Sequence, residues 1–173
     1  NQVVIDHIDA FSLYSENNVK TVNPMHVKCP GGLINNEVDA IIIHYSIFIL
    51  AEYFFSFEWR SQIINFHGPK IQIIQDEHRR IDEMKRQMYT LGINSVLSSL
   101  TLKNIKQVYG GPFMERIKVY SSLPGYFSER LMQLPQNSLE SRQYDVVYRG
   151  RKNSSYGRLA KEKEDIGMQM LLA

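Results

Sequence analysis

The chain has 173 residues, 43% of them hydrophobic, enough for one core of ordinary domain size and the opening of a second unit. Its 20 basic and 18 acidic residues leave a formal charge of +2, too small to coat a nucleic acid, so no nucleic-acid partner is expected and an anionic ligand would need a local basic cluster. The single cysteine, Cys29, excludes an internal disulfide and a cysteine-rich zinc site within these residues.

In chain order, Val4, Ile8 and Phe11 fall on one face at helical spacing and predict an opening helix. A short β-rich run follows at Val19 to Val22, then a CPGG loop, then a strand over Ala40 to Ile43. The apolar stretch Ile41 to Phe57 is broken by His44, Ser46, Glu52 and Ser56, so no membrane span is expected, and no basic leader precedes it. Trp59, Ile63 and Phe66 predict a helix, Ile71 to Ile74 a strand, and Ile81, Met84, Met88 and Leu91 a second helix. Ile93 to Leu97 predicts a strand, and Leu102, Ile105 and Val108 a helix capped by Thr101. A strand at Ile117 to Tyr120 precedes a helix opened by Pro124 and carrying Phe127, Leu131 and Leu134. Turn formers in PQNSLESRQ read as a linker, after which Asp145 to Tyr148 begins a new unit. Asn1 stands where a Met would begin a protein, and MQMLLA stops inside an amphipathic run, so a fragment of a longer protein is expected.

Strands alternating with helices argue for an α/β fold: a doubly wound, mostly parallel, Rossmann-like sheet covered on both faces. In such a sheet ligands gather outside the carboxyl ends of the strands. Candidate site residues are therefore His44, Tyr45 and Ser46 after one strand, and Gln75, Asp76 and Glu77 after the next. Imidazole and carboxylate can each orient a hydroxyl or take its proton. Other roles compete: Asp76 and Glu77 could cap the helix that follows, His44 could be a satisfied core histidine, and Arg79 and Arg80 could form a solvated face. Further on, Arg149, Arg151 and Arg158 flank Gly150 and Gly157, a combination that suits a diphosphate because backbone can approach closely and guanidinium can fork across oxygens. Neither GxGxxG, GxxxxGK[ST] nor GxSxG occurs, and the histidines lack metal-ligand spacing.

The order IIIHYS, IIQDEHRRID, LPGYF and YDVVYRGRKNSSYGRLAKEKEDIG resembles bacterial glycosyltransferases of the two-Rossmann-domain (GT-B) type, from the group 1, retaining, nucleotide-sugar-dependent set that includes many cell-surface polysaccharide enzymes. The resemblance implies that residues 1–141 are the N-terminal, acceptor-side domain without its first strand, and that 142–173 are the linker and the start of the donor domain. It implies sugar transfer from a nucleotide diphosphate sugar to a glycan or lipid-linked acceptor, with no metal or other cofactor. His44, Asp76 and Glu77 would be catalytic; Tyr45, Ser46, Gln75, Arg149, Arg151 and Arg158 would bind substrate. A cytoplasmic location follows, with peripheral association at the inner face of the membrane compatible with a lipid-linked acceptor. The chain alone is expected to be inactive, and oligomeric state, donor, acceptor and stereochemical outcome stay open. In NSSYGRL this sequence departs from the glycine-lysine-glycine style of loop in that family, which leaves the phosphate clamp unassigned. The alternative is a noncatalytic flavodoxin-like or receiver-like α/β domain that uses its acidic strand end for signalling or binding.

Overall fold

The structure, a computed structural model, describes residues 2–29, 38–123, 126, 128–135, 138–141, 143–144, 161–162, 165–166 and 168–170. An opening helix, α1 (Gln2–Tyr14), precedes β1 (Ile41–Ile43); α2 (Phe57–Asn65) leads to β2 (Lys70–Ile74) and α3 (Ile81–Leu91) to β3 (Ser95–Ser98). The pair α4 (Leu102–Tyr109) and α5 (Pro112–Arg116) leads to β4 (Lys118–Ser121), followed by one turn of helix, α6 (Glu129–Met132). All four strands are parallel and lie in the order β1-β2-β3-β4. The chain divides into two compact units, Asn1–Leu131 and Met132–Ala173. In the second, Leu139–Ser141 forms a 3-10 turn closed by the Ser141 hydroxyl on the Ser138 carbonyl at 3.0 Å.

Register fixes what each face of the sheet carries. Ile43, Gln72, Val96 and Val119 lie side by side, and with Ile74 they face the helices; Ile43, Ile74 and Val96 join Trp59, Ile63, Met84, Met88, Leu91, Ile105 and Tyr109 in the core. The 3.6-residue spacing in α3 is what turns Met84, Met88 and Leu91 inward while Asp82 and Glu83 stay near its N-terminus, where the helix dipole favours them. The α3 and α2 helices are neighbours, tied by Arg60 Nη1 donating to Gln87 Oε1 at 3.0 Å. Every crossover steps in the same direction, and right-handed crossovers that step one way place their helices on one face. The strand order described thus contains no reversal, the feature that makes a sheet doubly wound. Ile42 and Tyr120, on the other face, are 45% and 49% exposed, whereas Ile73 on that face is buried.

Two local features hold the helices to the sheet. Ser56 caps α2 by accepting from Trp59 N, and Thr101 caps α4 by accepting from Asn104 N, as its sequence position predicts. Lys70 is buried, and its ammonium donates to Ile63 O at 2.9 Å at the C-terminal end of α2, where the helix dipole favours a cation.

The run Val19 to Val22 is not a strand. It lies in irregular chain whose polar neighbours bond locally: Ser15 Oγ accepts from Asn17 N at 3.0 Å and Asn23 Oδ1 from Met25 N at 3.1 Å. Such bonds offer the backbone an alternative to a ladder. The helix expected around Leu131 and Leu134 is a single turn, with those two leucines 38% and 56% exposed. Pro124, Phe127 and the strand expected at Asp145 to Tyr148 lie outside the described residues.

Candidate functional site

The carboxyl edge of the sheet is where the chemistry collects. After β1 the chain turns at once, Ile47 N donating to His44 O at 3.0 Å, which returns Ile49 to full burial in the core and leaves Tyr45 and Ser46 half-buried at the edge. Arg60 secures this return: Nη2 donates to Ile49 O at 2.6 Å and Nε to Phe55 O at 3.0 Å.

His44 is 9% exposed and both ring nitrogens are engaged. Its Nδ1 accepts from Ser46 N at 3.2 Å and lies 2.9 Å from Ser46 Oγ; its Nε2 lies 2.9 Å from Nδ1 of His7 in α1. A nitrogen that accepts a backbone N–H carries no proton, so the network assigns the His44 proton to Nε2, which donates to His7. Burial, then the neighbouring His7, pushes the His44 pKa down to about 4, and burial lowers that of His7 as well. Tyr45 packs on both rings, at 4.0 Å from His44 and stacked at 5.6 Å on His7.

After β2, adjacent acids diverge. Asp76 is exposed and lines a small pocket with Tyr45, Phe48, Gln72, Gln75 and Arg79. Glu77 is 6% exposed and turns the other way: it accepts the hydroxyl of the fully buried Ser98, whose Oγ in turn accepts Leu100 N at 3.1 Å. The Tyr109 hydroxyl lies beside this pair, with its pKa raised by burial and then by the Glu77 charge. Neither acid is the cap of α3. That helix begins at Ile81 behind Arg80, a non-glycine residue at φ 50°, and its first-turn acids are Asp82 and Glu83.

A comparison with protein-family models, curated proteins and solved structures finds no match to this chain.

Of the residues singled out from the sequence, Tyr45, Gln75 and Asp76 share the pocket, while His44 and Ser46 stand behind Tyr45 as a hydrogen-bonded pair. Glu77 is packed away from that surface, and Arg149, Arg151 and Arg158 lie outside the described residues. Among the described residues no group of three His, Cys, Asp or Glu is placed to hold a metal, and no helix is long and apolar enough to cross a membrane. Three residues of the site escaped the sequence reading. His7 shares the inward face of α1 with Val4 and Phe11, and a histidine on an apolar face was the available signal. Gln72, an amide in the middle of a run of isoleucines, is 1% exposed; its Nε2 donates to Ile73 O and Ile43 O at 2.7 and 3.3 Å while Oε1 accepts nothing among the described residues. Arg79, expected on a solvated face, lines the pocket beside Asp76.

Proposed function

We propose that this chain carries the acceptor-side part of a glycosyltransferase, which moves a sugar from a nucleotide diphosphate sugar to a glycan or lipid-linked acceptor. The observation that carries the reading is the pocket at the carboxyl edge of the sheet, where Tyr45, Gln75 and the exposed Asp76 line one surface. An aromatic wall can cover the apolar face of a sugar ring, and carboxylate and amide can bind its hydroxyls. Asp76, exposed and in the pocket, is the group to orient or deprotonate an acceptor hydroxyl; His44, with both nitrogens occupied and a low pKa, supports the site from behind.

In this reading residues 1–141 are the Rossmann-like acceptor-side half of a GT-B architecture, in which a further strand supplies the reversal of a doubly wound sheet, and 142–173 open the donor domain. Arg149, Arg151 and Arg158 would then stabilise the leaving diphosphate electrostatically. A cytoplasmic enzyme at the inner membrane face fits a lipid-linked acceptor. The test uses the full-length protein with UDP- and GDP-linked sugars and glycan or lipid-linked acceptors, following nucleotide release and labelled product. Acceptor-dependent release is expected, and Asp76→Asn should lower turnover at least tenfold. No release with any donor, or an unchanged Asp76→Asn variant, overturns the reading.

A further inference from the structure

Ser98 ties the ends of three strands together. It closes β3, in register with Ile74 at the end of β2 and with Ser121 at the end of β4. Its carbonyl accepts Ser122 N at 2.8 Å, and its fully buried hydroxyl accepts Leu100 N at 3.1 Å while donating to Glu77. Ser121 Oγ donates to Leu100 O at 2.8 Å, which fastens the loop after β3 to β4 as well. The loop after β2 is therefore anchored, through the Glu77 side chain, in a strand that is itself held on its far side. Asp76 stands directly before that anchor, and only Gln75 separates it from the ladder that ends at Ile74. Its own carbonyl accepts Arg79 N at 3.0 Å, and both Asp76 and Arg79 line the pocket.

We propose that Glu77 is the positioning residue for Asp76: its buried carboxylate, bonded to Ser98, fixes the path of the chain after β2 and so holds Asp76 at the pocket. The inference rests on the sugar-transfer reading for the consequence, the placement of Asp76 against an acceptor hydroxyl. A buried carboxylate is a costly anchor, since an apolar side chain of similar size fills the same space without desolvating a charge. What the carboxylate adds is direction. A hydrogen bond fixes distance and angle where an apolar contact slides, and an exposed acid that must meet a hydroxyl needs its backbone held to within a fraction of an ångström.

Two measurements separate this inference from the reading beneath it. Amide hydrogen exchange by NMR at pH 7 reports the loop without any substrate, through the Arg79 N–H that closes on Asp76 O. In Glu77→Leu the Arg79 amide should exchange about tenfold faster while the amides of the β2–β3 ladder keep their rates, and Glu77→Gln, whose amide oxygen still accepts from Ser98, should stay near the wild type. Ser98→Ala, which removes the donor and keeps the acid, should loosen the same amide and serves if Glu77→Leu does not fold. An unchanged Arg79 rate in the folded variants, or equal acceleration of loop and ladder, overturns the anchor whether or not the protein transfers sugar. In the full-length transfer assay Glu77→Leu is expected to lower kcat about tenfold with the donor KM unchanged, Glu77→Gln to recover most of that loss, and the double variant with Asp76→Asn to be no slower than Asp76→Asn alone. Losses that multiply in the double variant refute a role exerted through Asp76. A wild-type protein with no transfer to any acceptor refutes the glycosyltransferase reading and with it the catalytic consequence, and the anchor is then decided by hydrogen exchange.

Discussion

Acidification should weaken the fold through His44. The folded pKa is about 4, against an ordinary 6.5, because burial and His7 disfavour the charged ring and because both nitrogens already have fixed hydrogen-bond roles. A histidine whose pKa is lowered on folding stabilises the native state fully above its unfolded pKa, and the contribution is lost as pH falls from about 6.5 towards 4, where only the unfolded chain takes up the proton. The shift is worth roughly 3 kcal/mol over the whole window, and linkage puts about 2 kcal/mol of that between pH 7 and pH 5. At 9% exposure His44 is poorly screened by solvent, so little of this is lost to the bulk dielectric. His7, also lowered, acts with the same sign. Urea unfolding followed by circular dichroism at pH 7 and pH 5, on the wild type and on His44→Phe, isolates the term: the variant should lose about 2 kcal/mol less than the wild type. An NMR titration supplies the direct value. A His44 pKa at or above 6, or equal acid losses in the two proteins, would refute the assignment of both nitrogens.

Four substitutions probe the supports of the fold and the site. Gly92→Ala should cost about 2 kcal/mol in chemical denaturation, because Gly92 ends α3 at φ 69° and a Cβ there would stand 2.7 Å from Lys70 Nζ; a change under about 0.5 kcal/mol would contradict the left-handed cap. Arg60→Lys keeps the charge but cannot reach Ile49 O, Phe55 O and Gln87 together, so a loss of about 1–3 kcal/mol is expected in the same assay, and an unchanged midpoint would show that the fork does not hold the turn after β1. Ser98→Ala leaves the buried Glu77 without its donor and should cost about 2 kcal/mol, with Glu77→Gln milder because the amide oxygen still accepts; the reverse order, read from urea midpoints, would mean that the charge rather than the hydrogen bond matters.

The elements were more legible than their meetings. The spacing of Met84, Met88 and Leu91 reports burial directly, because period 3.6 is a property of a single segment, while the run III at Ile41–Ile43 marks a strand without showing that Ile42 is exposed. The Thr101 cap is local in the same sense. Val19 to Val22 has strand composition, but a strand also needs a partner, and none is supplied there among the described residues. The site illustrates the same division. That residues 44–46 and 75–77 stand at one edge follows from strands that end there, whereas the bond from His7 to His44 joins positions 37 apart, which no periodicity reports. Asp76 and Glu77 are chemically alike and adjacent, so which turns out to the pocket and which turns in to Ser98 is decided by the path of the chain after β2, not by residue type.

Because strand order equals chain order, this sheet can be assembled in the sequence in which it is synthesised. β2 finds β1 already present, β3 finds β2, and β4 finds β3, each through one crossover, so no strand has to be inserted between two that are already paired. A sheet with a reversal makes its nascent chain wait for a later strand, holding an unpaired edge open in the meantime, which is a template for aggregation. From β1 to β4 the growing edge is always the newest strand.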